Sequence, residues 1–169
     1  MHVFLTGDRS VGKSFALRRT AELSGLPCAG FRTRFLTREN GASALYMVPA
    51  LQEDLLDEAH IVAWPENGRM RGLTERFDTL GAALLREARQ RPGALILMDE
   101  CGHLERDALA FQAEIRACLD GDNPVLGVLR KGQAWHSFIT EHPRVRVLTV
   151  TEANRDSIPG EALRLLKEN

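Results

Sequence analysis

Gly7-Asp8-Arg9-Ser10-Val11-Gly12-Lys13-Ser14 decides the reading of this chain. The stretch satisfies G-x-x-x-x-G-K-[ST], the phosphate-binding loop, at every fixed position. Val3-Phe4-Leu5 before it reads as a short apolar strand, and Phe15-Ala16-Leu17 after it continues into a helix. Strand, glycine loop, helix is the context the motif requires. Gly7 and Gly12 let the backbone curl with its N–H groups turned inward around a phosphate. The helix that follows adds its positive N-terminal end. Lys13 brings a mobile ammonium to the outer phosphates, and the Ser14 hydroxyl is placed to bind the magnesium ion that bridges them. The predicted nucleotide-binding set is Gly7, Asp8, Arg9, Ser10, Val11, Gly12, Lys13, Ser14 and Phe15.

A length of 169 residues predicts one domain spanning residues 1–169, long enough to bury a substantial core. The formal net charge of −1 supplies no basic field to attract nucleic acid or an anionic membrane. No apolar run approaches the roughly 20 residues that span a bilayer. The loop starts too early for a signal peptide to precede it. Cys28, Cys101 and Cys118 are odd in number and lack metal-ligand spacing, which predicts free thiols and a cytoplasmic protein.

Outward from the loop, helical and extended patterns alternate. Ser14–Leu23 reads as a helix with Phe15, Leu17 and Ala21 towards a sheet, ended at Ser24-Gly25-Leu26-Pro27. Cys28–Leu36 reads as extended, Asn40-Gly41 as a hairpin turn, and Ala44–Val48 as the returning strand. His60–Trp64 is a short apolar stretch stopped by Pro65. A helix is predicted from Phe77, capped by Asp78 or Thr79, with Leu80, Ala83, Leu84 and Ala88 on one face. Ala94–Met98 is a continuous apolar run, the pattern of a strand buried on both faces. A helix over Glu105–Leu119, a strand at Val125–Leu129, a helix at Gln133–Glu141, a strand at Val145–Val150 and a last amphipathic helix complete the chain. This alternation predicts an α/β fold of three layers: a mainly parallel sheet between helices, with an antiparallel hairpin at one edge. Ligands bind such sheets at the carboxyl ends of the strands. The loop, Asp99-Glu100, Arg130-Lys131 and Thr151–Asp156 all fall there.

Asp99 closes the apolar run and is the predicted magnesium partner of Ser14. Glu100, where the strand loses its regular alternation, is the predicted base for an attacking water. Asp99-Glu100-Cys101-Gly102 also fits D-x-x-G, the switch motif of GTPases. Against that stands the missing guanine-reading N-K-x-D, since Asn154-Arg155-Asp156 lacks both the lysine and the spacing. A crossover helix also precedes the Asp99 strand, whereas in Ras-like folds that strand arrives from a hairpin. Helix and adjacent glutamate together point to the RecA-like division of P-loop NTPases, which uses a catalytic glutamate and an extra central strand.

The chain resembles the THEP family of small P-loop nucleoside-triphosphatases. The resemblance rests on His2–Gly7 leading into the loop, Gly30-Phe31-Arg32-Thr33, Leu97–Glu105, Pro124–Arg130 and Val150–Asp156. The region Tyr46–Arg76 matches poorly, Asp8-Arg9 stands where the family often has a proline, and Cys101 and His103 also depart. The resemblance implies magnesium-dependent hydrolysis of the terminal phosphate of ATP, GTP and other nucleoside triphosphates, with broad base tolerance. Relatedness to nucleotide kinases keeps a small-molecule or nucleotide kinase as the alternative, and a GTPase-like switch is a second one. No protein partner is indicated.

Arg130, at a strand end facing the phosphates, is a candidate to neutralise charge in the transition state, beside a solvated-turn reading. Lys13 is the other cationic member of the catalytic set with Glu100. Asn154 and Arg155 follow the last strand, where nucleotide kinases hold the base; for Asn154 a capping role competes. Arg32 and Arg34, on an extended segment, read as surface charge, with a place flanking the cleft as the alternative; Trp64 and Trp135 read as packing residues.

Overall fold

A computed structural model describes residues 1–168. Strand β1 (His2–Gly7) runs into the glycine loop and helix α1 (Lys13–Ser24). A meander follows: β2 (Cys28–Thr37), β3 (Ser43–Pro49), β4 (Ile61–Glu66) and β5 (Arg69–Gly72). A short α2 (Thr74–Arg76) passes through a wide π turn at Phe77–Gly81 into α3 (Ala82–Arg89). The chain continues through β6 (Leu95–Cys101), α4 (Leu109–Asp120), β7 (Val125–Leu129), a 3-10 turn and α5 (Ser137–Thr140), β8 (Val145–Val150) and α6 (Ile158–Leu166).

The eight strands form one sheet in the order β5-β4-β3-β2-β6-β7-β1-β8. From β2 to β8 every pair is parallel, and from β2 to β5 every pair is antiparallel. Strand β7 therefore lies between the loop-bearing β1 and β6, which carries Asp99. This is the extra central strand expected from the sequence, and it separates the fold from a GTPase sheet.

Alternation along the parallel strands divides the core. Val3, Leu5, Leu95, Leu97, Leu126 and Val128 meet Ala16, Leu17 and Ala21 of α1 and Ile158, Ala162 and Leu165 of α6. Phe4, Phe31, Ile96 and Met98 meet Leu85 and Ala88 of α3 and Phe111, Ile115 and Cys118 of α4 on the other face. Residues two apart share a face, so Asp99 inherits the α1 side from Leu95 and Leu97. That parity turns it towards the phosphate loop.

Several predicted boundaries move for physical reasons. Pro65 does not stop its strand; it pairs with Met70 within β4, and β3 reaches only Ile61 and Ala63, so the proline lies where one side of β4 is free. Asn67 (φ 50°) and Gly68 (φ 75°) make the turn to β5, an Asn-Gly pair whose positive φ angles suit a tight hairpin. The helix begins at Thr74, not at an Asp78 or Thr79 cap. Asp78 instead accepts from the Phe111 N–H at 3.0 Å, capping the start of α4 from another helix. The π turn inserts an extra residue and rotates the face, so Ala83 is exposed while Ala82, Leu85 and Ala88 are buried. Helix α4 starts at Leu109 because Glu105 is held in the preceding turn. The Gln133–Glu141 helix breaks into a 3-10 turn and four α-helical residues. In α1, Ala16 and Leu17 are buried and Phe15 points outward, 59% exposed. Trp64 is 40% exposed rather than packed, while Trp135 is half-buried. All three cysteines are free, with Cys101 and Cys118 buried. Among the described residues no helix is long and apolar enough to cross a membrane.

Candidate active site

The loop closes tightly because its backbone takes unusual angles. Gly12 caps α1 in the left-handed region (φ 107°), which an L side chain rarely adopts, and Ser10 has φ 61°. No side chain caps α1, so the N–H groups of its first turn remain available to an anion. The Lys13 ammonium folds back across the loop and donates to the carbonyls of Gly7 at 3.2 Å and Asp8 at 2.7 Å. Lys131, after β7, reaches over to Asp8 Oδ1 at 2.8 Å. That hydrogen bond, with the charge of Lys131, holds the Asp8 carboxyl below its ordinary range.

Across β7, the Ser14 hydroxyl donates to Asp99 Oδ1 at 3.3 Å. The contact joins residues 85 apart in sequence. Asp99 is buried, and burial pushes its pKa up to about 6; the nearby Arg32 guanidinium opposes the rise. Arg32 pairs in register with Asp99 on β2 and is itself buried, 8% exposed, with Glu53 as its ion-pair partner. The surface reading of Arg32 is thus replaced by a cation set beside the buried acid. The sequence could not show this, because alternation identifies a face and not what covers it.

The β6–β7 register shifts between Met98 and Cys101, and Cys101, rather than Glu100, continues the Ile96–Met98 face. Glu100 is the extra residue, left half-buried at the strand end. Arg130 and Glu100 flank Gly102: a Cβ placed there would lie 3.6 Å from Arg130 Cδ and 3.8 Å from Glu100 Oε1. The exposed Arg130 donates to His103 Nδ1 at 3.1 Å. Gly7–Ser14, Asp99, Glu100 and Arg130 therefore stand together at the carboxyl ends of β1, β6 and β7. Asn154 lies beyond β8. Its Oδ1 accepts from the Thr151 N–H at 2.7 Å and its Nδ2 donates to the Thr149 carbonyl at 2.9 Å, so the side chain shapes its own loop.

Two supporting residues, Glu105 at the end of the Leu97–Glu105 motif and Trp135 among the packing residues, take roles that only the fold gives them. Glu105 is buried and accepts from the Gly102 N–H, while Trp135 Nε1 donates to the Gly102 carbonyl at 2.7 Å. Together they fix both sides of the turn that follows Glu100. A glutamate three residues after the glycine, ahead of an apolar helix, was the available hint. Burial drives the Glu105 pKa up to about 7, offset by the Gly102 N–H. Its raised folded-state pKa means the native protein holds this proton more tightly than the unfolded chain. The contribution to stability is fullest below the unfolded value of 4.5 and is lost as pH rises through about 7. Glu105→Gln, which keeps a carbonyl for Gly102, is expected to be more stable than the parent at pH 8 by about 3 kcal/mol. Thermal melts of both proteins from pH 4.5 to 8 check this; identical slopes would remove Glu105 as the source.

Residues 2–163 match the model of a protein family described as NTPase. The nucleoside-triphosphatase THEP1 of Methanosarcina barkeri is 28% identical, over 99% of this chain and 98% of its own. The nucleoside-triphosphatase THEP1 of Thermofilum pendens is 29% identical, over 95% and 92% respectively. In structure, THEP1 of the hyperthermophile Aquifex aeolicus superposes with a TM-score of 0.74 at 21% identity, covering 99% of this chain and all of that one. A human cancer-related nucleoside triphosphatase gives 0.69 at 22% identity, covering 98% and 97%. With a family model spanning nearly the whole chain, and an eight-stranded sheet that places a phosphate loop opposite an Asp-Glu pair, this chain belongs to the NTPase family of the THEP1 nucleoside-triphosphatases.

Proposed function

We propose that the chain hydrolyses the terminal phosphate of nucleoside 5'-triphosphates, ATP and GTP among them, with magnesium and little discrimination between bases. The single observation that carries this reading is the 3.3 Å contact between Ser14 Oγ and Asp99 Oδ1, with Glu100 next in the chain. The reading takes residues 1–169 as one domain that carries the loop, the acid pair and Arg130.

The donor set suits magnesium. A hydroxyl and a carboxylate are hard oxygen ligands, and a buried carboxylate pushed towards neutrality is one that a cation would restore to its charged form. Among the described residues no cluster of three or more His, Cys, Asp or Glu could hold a metal. Magnesium needs none: it keeps waters and takes one or two protein ligands beside the phosphates. Ser14 and Asp99 would hold the ion, which supplies charge neutralisation across the outer phosphates.

The chain's own residues divide the remaining work. The loop amides from Gly7 to Ser14 bind the phosphate oxygens, and Lys13 swings from its carbonyl contacts to the same oxygens. Glu100 holds the attacking water and takes its proton. Arg130 faces charge that builds on the transferred group. Asn154 keeps the β8 loop in shape for the nucleoside. A phosphate-release assay against ATP, GTP, CTP and UTP, with and without Mg²⁺, tests the reading. Release from all four, abolished by chelation, is expected. No release from any of them would overturn it.

A further inference from the structure

Strand order fixes the direction in which a nucleotide must lie. Asp99, Glu100 and Arg130 all stand at the ends of β6 and β7, to one side of the phosphate loop. The terminal phosphate therefore points that way. On the hydrolase reading the nucleoside would leave on the opposite side of β1, where β8 and the loop after it stand. In that loop the side chain of Arg155 lies against the phosphate loop itself. A Cβ built on Gly12 would meet Arg155 Cδ at 3.6 Å and Arg155 Cβ at 4.0 Å. Gly12 ends the loop and begins α1, so the Arg155 stem lies over the junction of loop and helix, on the β8 side.

Asn154 does not offer base-edge recognition as freely. Its carbonyl and one amide hydrogen are engaged by the loop backbone. The Arg155 N–H bonds to the Thr151 carbonyl at 3.0 Å, and Ser157 and Ile158 bond back to the Asn154 carbonyl. These contacts make the segment a closed turn that presents Arg155 outward, towards Gly12. Its guanidinium is planar, always charged, and presents a face that stacks on any aromatic ring.

We propose that Arg155 is the base platform of the site, stacking its guanidinium on the nucleobase and so binding all bases without reading their edges. The proposal rests on the hydrolase reading above and deepens it: base tolerance becomes a property of one side chain. Stacking depends on a π-face, which every base has, whereas hydrogen-bond readout would separate adenine from guanine.

The test compares nucleotides with inorganic tripolyphosphate, which has the phosphates and no base. Arg155→Ala is expected to raise KM for ATP, GTP, CTP and UTP by about 10-fold, more for the purines, with kcat falling far less. Inhibition of ATP hydrolysis by tripolyphosphate should keep its parental constant, which also shows that the loop is folded. Arg155→Tyr, which restores a flat face without charge, should recover most of the lost affinity. An equal loss for tripolyphosphate would make Arg155 a phosphate ligand and overturn the proposal. Unchanged nucleotide KM in Arg155→Ala would overturn it as well. So would a base-dependent loss seen only in Phe15→Ala, since exposed Phe15 is the rival surface. A parent protein that binds tripolyphosphate but hydrolyses no nucleotide would instead count against the hydrolase reading. In that case fluorescent-nucleotide titration of the same variants still decides the role of Arg155.

Discussion

Glu100→Gln is expected to lower turnover by about 10²- to 10⁴-fold while leaving nucleotide affinity nearly unchanged. The amide keeps the size and hydrogen-bonding reach of the carboxylate but cannot take a proton from water. Its neighbours should not rearrange, because Glu100 is the half-buried extra residue at the end of β6 and the face of the strand is carried by Met98 and Cys101. Ser14, Asp99 and the loop amides are untouched, so magnesium-dependent nucleotide binding should persist. Asp99→Asn is the contrast: it weakens the pair proposed to hold the metal and should raise the magnesium requirement. Single-turnover phosphate release, beside equilibrium nucleotide binding, separates the two. Parental turnover in Glu100→Gln would reject this residue as the base.

The second large effect is on stability. Gly30→Ala is expected to destabilise the protein by at least about 3 kcal/mol, a drop on the order of 10 °C in melting temperature. Gly30 sits in β2 opposite Leu97 of β6, with φ +91°. A Cβ there would stand 2.3 Å from the Leu97 carbonyl oxygen, which is backbone and has nowhere to go. The change would pry β2 from β6 two residues before the Arg32–Asp99 pair. Gly25→Ala is the control, because Gly25 also has a positive φ (66°) but meets nothing within 4 Å. It should cost about 1 kcal/mol, the left-handed penalty alone. Thermal melts of both variants decide the matter. Equal losses would mean that strand approach is not what requires glycine at position 30.

Much of this architecture is legible in the chain. The loop at Gly7–Ser14 names its own shape, because only a narrow set of residues closes around a phosphate. The apolar runs Leu95–Met98 and Val125–Leu129 announce strands covered on both faces. The pair Asp99-Glu100 after the first of them places acids at the ligand-binding edge. These signals are local, and local backbone preferences carry them. The meander from Ile61 to Gly72 was harder to see. Its strands are short and mixed in polarity, and Pro65 is permitted only because β3 stops short of it.

What the chain determined by itself was the anion loop, the succession of strands and helices, and an acid pair at a strand end, since each is written in neighbouring residues and their period. The tertiary structure alone decided that β7 enters between β1 and β6, that Ser14 meets Asp99 at 3.3 Å, that Arg32 is buried beside it, and that Arg155 crosses Gly12. Each of those joins residues far apart in sequence. Their distances follow from strand order and packing, which no window along the chain contains.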